Sequence, residues 1–139
     1  MTAALTRFLL AAMVALTITG CLGDLFQPSP GDFYGSADGI IMTITPSGAK
    51  LEWDCAAGAI TEPFETAEDG SFDFEGTYTP GSGGPVNEDD PPRAQSARYF
   101  GTKFQLSRIT LTVHVPESET MLGPYLLRLG QGVVLHRCL

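Results

Sequence analysis

The fold is decided by the strict alternation of apolar and polar residues in Arg108-Ile109-Thr110-Leu111-Thr112-Val113-His114-Val115. Successive side chains of an extended strand point to opposite faces. The four aliphatic side chains of this stretch would therefore share one face, and its polar side chains the other. Such a pattern is typical of a strand with one face in a core, so it predicts a half-buried β-strand.

The same alternation recurs along the chain between turn-forming residues. The clearest further strands are 40–45, 49–55, 71–79, 125–129 and Val133–Cys138, and the weaker candidates are Asp32–Ala37, Ile60–Thr66 and Ala97–Phe104. No window after residue 21 has the apolar spacing of an amphipathic helix, and 16 glycines and 10 prolines interrupt the chain. The sequence predicts an all-β antiparallel meander of seven to eight strands. We expect a closed barrel in preference to a sandwich, because closure leaves no strand edge exposed.

Most aromatic residues fall on the apolar faces of these strands. Trp53 stands between Leu51 and Cys55 in one alternating set, so we expect its ring to be largely buried. We expect side chains to fill the interior of so small a barrel. The alternative is a pocket that holds one apolar ligand.

Residues 80–96 interrupt the strand pattern with a long loop rich in glycine and proline. Its acidic run, Asn87-Glu88-Asp89-Asp90, lacks the alternating spacing of a calcium loop, which favours a solvated segment. His114 and His136 are not expected to bind a metal together, and no serine lies in a G-x-S-x-G nucleophile motif. The sequence thus predicts no catalytic residue, no metal site and no cofactor. A hydrolase acting through the 80–96 loop is the least favoured interpretation.

The N-terminal residues have the features of an export signal. Arg7 precedes an apolar run from Phe8 to Leu16 that is too short to span a bilayer. The residues Ile18-Thr19-Gly20-Cys21 that follow resemble the lipobox of bacterial lipoproteins. The resemblance implies a cleaved signal peptide at 1–20 and a lipidated Cys21 that anchors the protein to a membrane.

A lipidated Cys21 leaves two cysteines. Exported domains fold in an oxidising compartment, so Cys55 and Cys138 are expected to form a structural disulfide. Both end alternating apolar patterns, and we expect both side chains to face the interior. Residues 21–31 would be a flexible tether of at most about 35 Å, followed by a single β-domain at 32–139.

The charge of the mature chain excludes some partners. Residues 1–20 contain one basic residue and no acidic one, so their removal changes the net charge from −8 to −9. This argues against binding to nucleic acid or to anionic lipid headgroups, which need basic clusters.

The mature part is similar to a family of small exported bacterial domains with no assigned activity. The residues that carry this resemblance are 53–60, 76–78, 83–86, 97–99 and 123–125. It implies an all-β domain with paired cysteines and supplies no catalytic residue.

The function expected from the sequence is therefore a non-enzymatic, lipid-anchored domain of the cell envelope that binds a protein or a small apolar ligand. A structural or stress-related envelope lipoprotein is the alternative. Leu22, in place of Asp after the lipidated cysteine, resembles the sorting pattern for the outer membrane in cells with two membranes.

Overall fold

The computed structural model describes residues 27–81, 87–105, 107–136 and 138. This part of the chain forms eight β-strands and one short 3-10 turn, and none of its helices has the length and hydropathy of a membrane span. The strands are β1 (Phe33–Ser36), β2 (Ile40–Thr45), β3 (Gly48–Trp53), β4 (Ala56–Ile60), β5 (Ser71–Pro80), β6 (Gln95–Phe104), β7 (Arg108–Val115) and β8 (Thr120–Leu129).

Each strand pairs antiparallel with the next, and the last pairs with the first. In the closing pair, Tyr34 of β1 lies opposite Leu129 of β8, and Gly35 lies opposite Arg128. The eight strands therefore form a closed up-and-down barrel. This confirms the predicted all-β class, the meander and the preference for a barrel.

Side chains fill the barrel interior. Burial alternates along β7 as its sequence predicts, with all four aliphatic side chains completely buried. The largest side chains with less than 2% exposure come from six strands: Tyr34, Tyr99, Ile40, Met42, Leu51, Ile109, Leu111, Leu127, Val113 and Val115. These side chains belong to one hydrophobic core cluster.

The strand predicted at Ile60–Thr66 is wrong, because the strand here is β4, Ala56–Ile60. Its alanines and glycine give no apolar alternation. They fit because bulky side chains of other strands occupy the space in front of them. A Cβ on Gly58 would overlap the hydroxyl of Tyr99. Small residues opposite large ones are typical of small barrels.

The strand predicted at Val133–Cys138 is also wrong. Residues 131–136 have no strand pairing and run along the outside of the barrel, where the backbone of Gln131 lies against Gly35. Val133 and Leu135 are partly buried on the barrel wall, whereas Val134 and His136 are exposed. The alternation in this segment thus reflects contact with the outer surface and not with the core.

The two ends of the barrel differ. The entry end is where the chain reaches β1, and it also carries the β2–β3, β4–β5 and β6–β7 connections. The disulfide end carries the β1–β2, β3–β4, β5–β6 and β7–β8 connections. Because the segment after β8 starts at the entry end and reaches Cys55 in the β3–β4 turn, it runs the length of the barrel.

The entry end is closed by the β4–β5 loop. Phe64 of this loop packs against Phe72 and Phe74, with ring centroids 5.1 and 5.0 Å apart. The side chain of Gln27 accepts a hydrogen bond from the Thr66 amide at 3.0 Å and donates one to the Thr66 carbonyl at 3.3 Å. The described part of the predicted tether, residues 27–31, is therefore attached to the barrel and not free. The predicted signal peptide, Cys21 and residues 22–26 lie outside the described residues.

Candidate binding site at the disulfide end

Three aromatic residues from three strands meet at the disulfide end. Trp53 is the last residue of β3, and it contacts Tyr78 of β5 edge to face at a centroid distance of 5.4 Å. The indole Nε1 of Trp53 donates a hydrogen bond to the hydroxyl of Tyr125 in β8 at 3.3 Å. All three side chains are partly buried against the core. Trp53 has intermediate exposure and packs against the core, in agreement with the prediction that its ring is largely buried.

The electrostatics of this aromatic cluster are those of an uncharged surface. Burial raises the pKa of Tyr78 above its ordinary value, and the neighbouring Tyr125 raises it further. Its hydroxyl therefore remains protonated at neutral pH. The cluster offers apolar ring surface together with neutral hydrogen-bonding groups, a combination that is enriched at protein interfaces.

Gln95 adds an unusual polar group next to the cluster. It begins β6 directly opposite Tyr78 of β5. Within the described residues, its Oε1 is the one buried side-chain nitrogen or oxygen without a hydrogen-bond partner. A buried acceptor without a donor costs about 1–3 kcal/mol. Gln95 was not singled out from the sequence, because an isolated glutamine at the edge of a loop carries no signal.

Cys55 and Cys138 are paired as predicted, with Cα atoms 5.3 Å apart. A disulfide requires roughly 4.4–6.8 Å. The prediction that both side chains face the interior is wrong, since both residues are exposed. Cys55 lies in the turn after β3, and Cys138 approaches it from the outer wall. Beside them, the amide of His136 donates a hydrogen bond to Asp54 Oδ1 at 2.8 Å.

The other candidate residues do not assemble into a site. His114 lies on the outer face of β7 opposite Arg98, and His136 lies in the terminal segment after β8. No group of three metal-binding side chains occurs within the part of the chain that the structure describes. In the acidic run, Asn87 accepts hydrogen bonds from the amides of Asp89 and Asp90 at 3.2 and 3.1 Å. Its residues form an exposed turn.

Comparisons with protein-family models, with curated proteins and with solved structures found no match. The two resemblances described above therefore remain predictions.

Proposed function

We propose that this protein is a lipid-anchored lipoprotein of the cell envelope whose barrel binds a protein partner, without catalysis, through its disulfide end. The filled interior favours a protein over a small apolar ligand. Ten large side chains inside the barrel are less than 2% exposed, so a ligand from the solvent has little access to them. Recognition would therefore take place on the barrel surface.

The observation that carries the proposal is the unpaired Gln95 acceptor opposite Tyr78, which belongs to the partly buried aromatic cluster. Tryptophan and tyrosine are enriched among the residues that dominate interface energies. If the Gln95 side chain turned outward from the rim, a donor from a partner would satisfy Oε1 and offset the cost of leaving it unpaired. A polar group that is unsatisfied in the free protein and satisfied in a complex adds both affinity and orientation.

The position of Gln27 supports this choice of end. Cys21 precedes it by six residues, which span at most about 21 Å. Because Gln27 is hydrogen-bonded at the entry end, an anchor at Cys21 would hold that end near the membrane. The disulfide end would then face away from the lipid, where an envelope protein can reach it.

Anchoring is tested by substituting the cysteine that would accept the lipid. We expect Cys21→Ser to abolish acylation, because its hydroxyl cannot form the thioether. Detergent phase partitioning and intact mass should show a protein that is unprocessed or soluble. A variant that stays in the detergent phase after correct signal removal would refute the anchor.

Binding is tested by Gln95→Met, which keeps the side-chain length and removes the unpaired acceptor. We expect the free energy of unfolding to rise by about 1 kcal/mol and partner capture to fall. Capture is measured in cells with a photo-crosslinking amino acid at Arg93, in the loop at the disulfide end.

The matched control carries the crosslinker at Lys50, an exposed residue in the middle of the wall on β3. Discrete products from position 93 and none from position 50 would support the proposal. Equal products from both positions, or capture that is unchanged by Gln95→Met, would contradict it. A loss of stability in Gln95→Met would show that the amide has a partner in the free protein.

A further inference from the structure

Three of the six exposed large apolar side chains in the described residues stand at the entry end of the barrel. Phe33 is 42% exposed, Phe104 is 54% exposed and Leu129 is 41% exposed. All three stand at the ends of strands that terminate there. Burial of such side chains is favourable, so a group of them exposed to solvent indicates a surface that binds another molecule or a membrane.

These side chains lie on adjacent strands. The amide of Gly130 donates a hydrogen bond to the carbonyl of Phe33 at 2.8 Å, which joins β1 to the end of β8. The amide of Leu129 donates to the carbonyl of Ser107 at 2.9 Å, at the start of β7. Phe104 ends β6, the next strand of the barrel. The apolar residues thus follow one continuous section of the rim.

Two arginines complete this section. Arg108 of β7 lies directly opposite Arg128 of β8, and Phe104 lies opposite Arg108. Both arginines are exposed, and like charges in directly opposed positions destabilise a sheet. Within the described residues the one ion pair is that of Arg98 with Asp73, so neither rim arginine has an acidic partner there. An anionic surface would relieve their repulsion.

We propose that this basic rim, formed by Phe33, Phe104, Arg108, Arg128 and Leu129, docks on the surface of an anionic lipid bilayer. The inference rests on the anchor in the proposed function, because six residues from Cys21 to Gln27 hold the entry end within about 21 Å of the lipid. The phenylalanines and the leucine enter the headgroup region, and the arginines contact the phosphates. Each basic side chain near an anionic surface contributes attraction that falls off within a Debye length.

The net negative charge of the chain argues against attraction to anionic lipids, but the charges are unevenly distributed around the entry end. At the entry end, the acidic side chains Glu62, Glu65, Glu68 and Asp69 belong to the β4–β5 loop, across the barrel from β8 and β1. Asp32, which directly precedes Phe33 of the rim, accepts a hydrogen bond from the Ser29 amide at 2.9 Å. The arginines of β7 and β8 are therefore separated from these four acidic side chains and can face the lipid phosphates.

The test uses the mature chain with Cys21→Ser, so that no acyl group contributes. We expect it to float with vesicles of phosphatidylglycerol and phosphatidylethanolamine at low salt, and not with vesicles of phosphatidylcholine alone. Arg108→Glu places a carboxylate opposite Arg128, so the melting temperature should hold or rise while the vesicle partition coefficient falls about tenfold or more. Phe104→Ser should also weaken flotation. If the melting temperature of Arg108→Glu holds or rises while its vesicle binding falls, unfolding is excluded as the cause of the weaker binding.

The matched control is Met121→Ser, which removes an apolar side chain of 58% exposure from the start of β8 at the disulfide end. It should float like the parent. Docking is overturned if the parent chain does not float with anionic vesicles, if Arg108→Glu floats equally well, or if Met121→Ser weakens flotation as much as Phe104→Ser. Since the chain carries no lipid, these results are independent of whether Cys21 is acylated in cells.

Discussion

Removal of the Cys55–Cys138 disulfide is expected to lower the free energy of unfolding by about 4 kcal/mol. The bridge joins residues 83 positions apart, and on the loop-entropy account a closed loop of this size restricts the unfolded chain by roughly that amount. Both cysteines are exposed at the end of the barrel, so their replacement leaves no cavity in the core. The measurement is chemical denaturation of Cys55→Ser/Cys138→Ser against the oxidised parent.

The position of the bridge adds a second expectation. Cys138 lies in the segment that crosses the outer wall, and chain ends are poorly ordered unless they are tied down. Hydrogen exchange in residues 131–136 should therefore increase in the double variant, while the barrel strands stay protected. The matched control is Val134→Ser, which changes an exposed side chain of the same segment and keeps the bridge. Two free thiols in the denatured, unreduced mature protein would refute the pairing.

The strands that could be predicted are those whose side chains meet the core on one face only. In β2 and β7, every second residue is buried, so the period of the sequence is the period of the structure. Closure could be argued as well, since a meander of this length would otherwise leave edges exposed. Alternation and turn residues therefore sufficed for the fold class.

The two wrong strand predictions arise where the alternation of apolar and polar residues does not reflect a core-facing strand, or where close packing leaves no such alternation. In β4, the hydroxyl of Tyr99 lies so close to Gly58 that only a glycine fits there. The small residues of this strand therefore show no alternation of apolar and polar side chains. In the terminal segment, Val133 and Leu135 alternate with exposed residues because they rest on the outside of the barrel. A one-dimensional pattern does not distinguish an inner from an outer surface.

The candidate sites depend on register, which the sequence leaves open. Gln95 matters because it lies opposite Tyr78, and Arg108 matters because it lies opposite Arg128. The β7–β8 pairing shifts between Leu111 and Val113, so counting outward from the connection would misplace the second pair. The pairing of Cys55 with Cys138 could be predicted by elimination. The exposure of the pair could not, because it depends on β3 ending before Cys55.

Gly58→Ala is expected to lower the free energy of unfolding by about 3 kcal/mol, at the upper end for overpacking by a single methyl group. Its Cβ would overlap the hydroxyl of Tyr99 and lie 3.1 Å from both Thr77 O and Trp53 Cζ3. Tyr99 is completely buried, and its hydroxyl donates a hydrogen bond to the Thr77 carbonyl at 2.5 Å. Because the ring is completely buried and its hydroxyl is hydrogen-bonded, a shift away from the new methyl group would disturb both the packing and the hydrogen bond. Chemical denaturation gives the change.

The matched control is Gly132→Ala, which has no atom within 4 Å of the added Cβ and should change stability by less than about 0.5 kcal/mol. The decisive comparison repeats Gly58→Ala in the background of Tyr99→Phe. Without the hydroxyl, the closest overlap disappears, and the cost of the methyl group should fall to about 1 kcal/mol. The expected coupling of about 2 kcal/mol lies within the range for residues in direct contact. Additive effects of the two substitutions would show that Gly58 is not required by Tyr99, and that the small side chains of β4 have another cause.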